Sequence, residues 1–202
     1  YEPTRGQVLI DGRDARERSQ LWLHANIGYV LQTPHLFSGT VLKNLRYGRP
    51  DATIQEIEAA VKAVCADEII ARLPDGYDTQ VGEGGSSLST GEKQLLSFAR
   101  ALLADPRIFV LDEATSSVDT ITEQKLQQAI ETVMRGRTSF IVAHRLSTIR
   151  RAYVILVVQD GRIIEQGSHR ALMEQKGAYY ALYTRQYREQ AMQAFWRGGE
   201  PA

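Results

Sequence analysis

The sequence predicts an α/β protein with a parallel sheet, an antiparallel β segment and an inserted α-helical subdomain. Two runs, Ile108-Phe109-Val110-Leu111 and Ser139-Phe140-Ile141-Val142-Ala143, do not alternate and read as strands buried on both faces. Helical stretches separate them, and strands alternating with helices build a parallel sheet. From about Pro34 to Ala104 the pattern is helical, a block inserted into that order.

Taken in order, Gln7-Val8-Leu9-Ile10-Asp11-Gly12 alternates and ends in Asp-Gly, a strand leading into a turn. Ile27–Leu31 is a short apolar strand, stopped at Gln32-Thr33-Pro34. Within the helical block Thr53 caps a helix, with Glu56 as its capping-box partner. Ile57, Val61, Val64 and Cys65 form that helix's apolar stripe. Val81–Ser87 is a glycine-rich loop. Ser89 then stands at an N-cap, three residues before Glu92, and a long helix runs through Leu95, Leu96, Ala99, Leu102 and Leu103 to Asp105-Pro106. Another helix spans about Ile121 to Met134. Tyr153–Gln159 and Arg162–Glu165, joined by Asp160-Gly161, form a hairpin. From about Ser168 the chain is helical.

The 202 residues carry 24 Lys plus Arg and 24 Asp plus Glu, a net charge of zero, and 43% are apolar. That suits a packed core and gives none of the basic excess of a nucleic-acid binder, so no nucleic-acid partner is expected. The single cysteine, Cys65, cannot form an internal disulfide and reads as a small apolar helix residue. No apolar run approaches the ~18 residues of a membrane span. The opening Tyr1-Glu2-Pro3-Thr4-Arg5-Gly6, without a start methionine, reads as a cut inside a larger protein.

The chemistry centres on Asp112-Glu113, directly after the strand Ile108–Leu111. Open α/β sheets place ligands at the carboxyl ends of their strands. There Asp112 would hold a hard cation such as Mg²⁺, and Glu113 would polarise a water. A strand ending in two solvated acids explains the pair as well. Upstream, Leu88-Ser89-Thr90-Gly91-Glu92 supplies a hydroxyl, a glycine and a helix N-terminus, all suited to a phosphate. Alone, that stretch is also a simple helix cap.

The motifs taken together decide. Leu88-Ser89-Thr90-Gly91-Glu92-Lys93-Gln94, then Ala99-Arg100-Ala101-Leu102, Asp105-Pro106 and Leu111-Asp112-Glu113-Ala114-Thr115-Ser116-Ser117-Val118-Asp119 resemble the signature, Walker B strand and D-loop of ABC ATPases. Gln32 resembles the Q-loop glutamine, and His144, after Ser139–Ala143, the switch histidine. The resemblance runs from Tyr1 to about Gly177. It implies a P-loop NTPase (RecA-like) core in two parts, 1–33 and 105–177. The α-helical subdomain, 34–104, would carry the X-loop and signature, and 178–202 would be a C-terminal helical tail.

The resemblance also implies roles. Glu113 would be the general base for attack on the γ-phosphate of ATP, and His144 would hydrogen-bond that phosphate. Asp112 and Gln32 would attend Mg²⁺. Leu88, Ser89, Thr90, Gly91 and Glu92, with Asp119, would face the nucleotide held by a second ABC nucleotide-binding domain, in a homo- or heterodimer. Glu92 departs from the common Gly-Gly-Gln ending of the signature, and capping the helix is the role expected of it. Tyr153, where relatives often carry Asp, has no functional account.

Thr79-Gln80-Val81-Gly82-Glu83-Gly84-Gly85 resembles the X-loop of exporter-type members, and Phe37–Leu45 the start of their helical subdomain. Gln32 and Glu83 would then couple to a transmembrane domain, fused N-terminally, at the cytoplasmic face of the cell membrane. A soluble ABC ATPase and a catalytically silent dimerising domain are the alternatives. His24, His35 and His169 read as surface or packing residues. The P-loop pattern Gly-x-x-x-x-Gly-Lys-Ser/Thr is nowhere in the 202 residues, so they are expected to bind ATP weakly, hydrolyse little and fold incompletely on their own.

Overall fold

The computed structural model describes residues 2–85, 87–112, 119–143 and 145–198. The chain divides into two compact units, Tyr1–Val142 and Ala143–Ala202.

The first unit opens on a small antiparallel ladder, β1 (Leu9–Ile10) and β2 (Arg13–Asp14). Asp11 and Gly12, both at positive φ, make the turn between them. The expected first strand is thus shorter than its alternating pattern, and its partner follows at once. Ser19 caps α1 (Gln20–Asn26) by accepting from the Trp22 N–H, and the chain passes directly into β3 (Ile27–Val30).

The helical block contains α2 (Val41–Arg46), α3 (Ile54–Ala63), α4 (Asp67–Arg72) and α5 (Thr90–Leu103). The Thr53–Glu56 capping box is present: each side chain meets the other residue's backbone N–H. Ile57, Val61 and Val64 are buried. Cys65 corrects the sequence reading. The helix ends at Ala63, and Cys65 lies beyond it in the left-handed region, where its N–H donates to Lys62. It terminates the helix and is no part of its stripe.

The block is also not wholly helical. β4 (Gly39–Thr40) pairs antiparallel with β5 (Gln80–Val81) and ties the block's beginning to the loop before the signature. Asn44 reinforces this closure. Its side chain accepts from the Phe37 N–H at 2.8 Å and donates to the carbonyls of Phe37 and Thr40 at 2.8 and 3.1 Å, so a buried amide is fully satisfied. Gly48, just past α2, lies so close to α5 that a Cβ there would stand 2.1 Å from the Arg100 carbonyl oxygen.

The central sheet is parallel, ordered β3, β6 (Ile108–Asp112), β7 (Thr138–Val142), with α6 (Thr120–Met134) linking the last two. Burial corrects the expectation of strands covered on both sides. Phe109 and Leu111 are fully buried with Leu95, Leu96, Phe98, Leu126, Ala129 and Val133, whereas Ile108 and Val110 are half-buried. On β7, Phe140 is 56% and Val142 57% exposed, and Tyr29 on β3 is 54% exposed. Register aligns Tyr29, Val110 and Phe140 on one face. The helical core covers the opposite face, which explains the asymmetry.

In the second unit, α7 (Leu146–Arg151) precedes the hairpin β8 (Ile155–Gln159) and β9 (Arg162–Gly167). Asp160 and Gly161, at φ 48° and 72°, form the two-residue turn that the Asp-Gly pair predicts. Tyr153 is exposed ahead of the strand. Two helices follow, α8 (His169–Gln175) and α9 (Ala178–Gly198). Val157, Leu172 and Tyr179 form their small core. The Glu165 carboxylate accepts from the backbone N–H groups of Ala178 and Tyr179 at 2.5 and 2.8 Å, which caps α9.

Candidate nucleotide site

The parallel sheet sets the site. Its register places Val30, Leu111 and Ile141 side by side, so all three strands end along one edge. Asp112 is the last residue of β6, half-buried and in register with Val142. Gln32 follows the end of β3 by two residues and is exposed. The sheet therefore brings the Gln32 and Asp112 positions to neighbouring strand ends, where an α/β sheet receives ligands. Glu113 and His144, the expected base and switch histidine, lie outside the described residues.

The signature occupies the start of α5. Leu88 and Gly91 are buried, and Ser89 and Thr90 are exposed. Ser89 and Glu92 form a capping box. The Ser89 hydroxyl accepts from the Glu92 N–H at 3.3 Å, and the Glu92 carboxylate accepts from the Ser89 N–H at 2.8 Å. The capping role expected of Glu92 is thus what its side chain performs. Its second carboxylate oxygen takes the Arg72 guanidinium of α4. Burial alone would raise the Glu92 carboxyl, but the Ser89 N–H and Arg72 outweigh it and hold the group below its ordinary range.

Asp119 caps α6, accepting from the Thr122 N–H at 2.9 Å. Hydrogen bonds from the Thr122 side chain and backbone keep its carboxyl below the usual value. A Lys125–Glu68 ion pair at 2.6 Å links α6 to α4. The α4 helix is therefore tied by charge to the helices that begin at the signature and after the D-loop segment.

Of Glu83 only the backbone is described, in a 3-10 turn, Glu83–Gly85. The Gly84 N–H donates to the Leu36 carbonyl at 3.2 Å, so this turn sits beside the segment that leads away from Gln32. There Phe37 packs edge-on to His35 and against Tyr47, with the Arg100 guanidinium 5.8 Å from its ring. His35 is thus a packing residue. So is His169, which shares a 2.7 Å hydrogen bond with the Tyr179 hydroxyl.

Sequence reasoning missed Arg72 and Asn44. Asn44 had a signal, being an amide one helical turn from Val41 and adjacent to Leu45 on the buried side of α2. Arg72 had none, since its partner is 20 residues away.

An open parallel sheet with a carboxylate at its ligand edge, beside an inserted helical subdomain, is the architecture of a P-loop NTPase nucleotide-binding domain. Residues 1–116 match the family described as ABC transporter. The chain is 52% identical over 187 residues to an uncharacterized ABC transporter ATP-binding protein, YfiC, of Bacillus subtilis, covering 93% of this chain and 31% of that one. It is 51% identical over 182 residues to a fatty acid ABC transporter ATP-binding/permease protein of Mycobacterium tuberculosis, covering 90% and 29%. The structure of a bacterial Atm1-family ABC exporter with ATP bound superimposes with a TM-score of 0.83 at 44% identity, over 95% of this chain and 33% of that one. The chain belongs to the ABC transporter family, and it spans 31% and 29% of the length of these two relatives.

Proposed function

We propose that the chain serves as the ATP-hydrolysing domain of an ABC exporter, working in a head-to-tail dimer at the cytoplasmic face of the cell membrane. The convergence of Gln32 and Asp112 at neighbouring strand ends carries this reading. Among the described residues no group of three or more His, Cys, Asp or Glu could enclose a metal ion. Mg²⁺ ordinarily takes one or two carboxylates and relies on phosphate oxygens for the rest, so a single Asp112 fits it. Bound there with ATP, Mg²⁺ would supply charge neutralisation at the phosphates.

Around it the residues divide the work. Asp112 holds the cation, with Gln32 beside it. Glu113 accepts the proton of the attacking water, and His144 steadies the γ-phosphate. Ser89 and Gly91 face the nucleotide of the second domain, with Leu88, Thr90 and Glu92 shaping that surface and Asp119 at the same interface. Gln32 and Glu83 couple hydrolysis to the transmembrane domain; the Gly84–Leu36 hydrogen bond, which joins their two loops, supports that pairing. Among the described residues no helix is long and apolar enough to cross a membrane, so that domain would come from the rest of the exporter.

In the intact exporter, Asp112→Asn should abolish Mg²⁺-dependent ATP hydrolysis, read as phosphate release. Release at the wild-type rate would overturn the assignment. The 202 residues contain no Gly-x-x-x-x-Gly-Lys-Ser/Thr nest, so taken alone they should bind a fluorescent ATP analogue weakly and hydrolyse little. Micromolar binding would contradict this.

A further inference from the structure

The signature of this chain begins a helix with a carboxylate, Glu92, at its third position. A negative charge there opposes an approaching triphosphate unless something cancels it. The cancelling group is present. Arg72, the last residue of α4, gives its guanidinium to Glu92, while the other Glu92 oxygen holds the Ser89 N–H at 2.8 Å. Arg72 Nε is itself within 3.4 Å of the Glu68 carbonyl, and Glu68 is ion-paired with Lys125 at 2.6 Å. Arg72 is therefore presented from a helix that is also tied to α6. The Glu92 side chain is 20% exposed and that of Arg72 67%, so the pair sits at the surface beside Ser89, with its carboxylate largely covered.

We propose that Arg72 is a positioning residue for the signature, neutralising Glu92 so that a carboxylate-capped helix can present Ser89 and Gly91 to an anionic nucleotide. The proposal rests on the reading that this signature faces a nucleotide. Its logic is specific to Glu92. Glutamine at that position would still accept the Ser89 N–H but would carry no charge, and Arg72 would then have nothing to cancel. An ion pair that only braces α4 against α5 contributes little and has no such dependence.

The test uses the intact exporter, with ATP hydrolysis measured against ATP concentration at two ionic strengths. Arg72→Gln should raise KM for ATP about fivefold at low salt, and the increase should shrink to about twofold or less near 1 M salt, where screening cuts charge effects to about 3 Å. Arg72→Lys, which keeps the charge, should stay close to wild type. The double variant Arg72→Gln/Glu92→Gln should match Glu92→Gln alone in KM. An unchanged KM in Arg72→Gln, or an equal loss whether residue 92 is Glu or Gln, overturns the proposal. So does a salt-independent loss accompanied by a lowered melting temperature. Ser89→Ala separates the two levels. If it lowers hydrolysis while Arg72→Gln does not, only the Arg72 proposal fails; if Ser89→Ala has no effect, the nucleotide-facing reading fails and Arg72 falls with it.

Discussion

Gly48 shows how far one atom reaches in this fold. Its backbone passes the end of α2 against α5, where a Cβ would lie 2.1 Å from a backbone oxygen and 3.3 Å from the Arg100 side chain. That carbonyl, in the last turn of α5, already accepts from the Ala104 N–H at 3.2 Å and has little room to move aside, so α2 itself would have to shift. Gly48→Ala should therefore lose about 1–3 kcal/mol of stability, the usual cost of overpacking. Chemical denaturation of the exporter domain would show it as a lowered midpoint with an unchanged slope, and an unchanged midpoint would refute the contact. Asn44 and Glu92 act at the same scale. Each is a polar side chain whose hydrogen bonds hold a loop or helix start in place, and each does so within seven residues in sequence. Glu92 was readable in advance because a capping box is written in four consecutive residues. Arg72 was not, because an ion pair between separate helices leaves no local pattern.

Elements that close on themselves were the most legible. The Thr53 and Ser89 capping boxes, the Asp160-Gly161 hairpin and the helix ending before Asp105-Pro106 all came from short-range chemistry. The burial of β6 and β7 did not. Whether a strand alternates depends on which face a helix covers, and the run Ile108–Leu111 is apolar at every position whichever face is packed. The two-residue ladder β4–β5 was likewise invisible, being a pairing across some 40 residues with no strand-length pattern on either side.

In the second unit, α8 and α9 depend on a titratable contact. His169 shares its Nδ1 with the Tyr179 hydroxyl and packs against Tyr183. Burial, with a smaller contribution from Arg150, holds its pKa below 6.5, and burial pushes the Tyr179 hydroxyl up to about 12. The folded state thus binds a proton less readily than the unfolded chain. Its stability is full above pH 6.5 and declines as pH falls below that value toward the folded pKa. Melting temperature should fall between pH 7 and pH 5, and His169→Phe should flatten that slope. An unchanged slope in the variant would show that His169 does not titrate with folding.

At the scale of the whole molecule, the sheet is the frame and the proposed chemistry stands at its edge. Tyr29, Phe140 and Val142 leave one side of it open, while the helical core fills the other and aligns the strand ends. That alignment sets Asp112 in place, and Glu113 is the next residue in sequence. Its role as base comes from the family motif around it, because the Asp112-Glu113 pair alone reads equally as two solvated acids at a strand end. The most direct measurement is ATP hydrolysis by the intact exporter with Glu113→Gln. A positioned general base is worth about 10²–10⁴ in rate, so phosphate release should fall by at least about a hundredfold while ATP binding is retained. Hydrolysis at the wild-type rate would contradict the account.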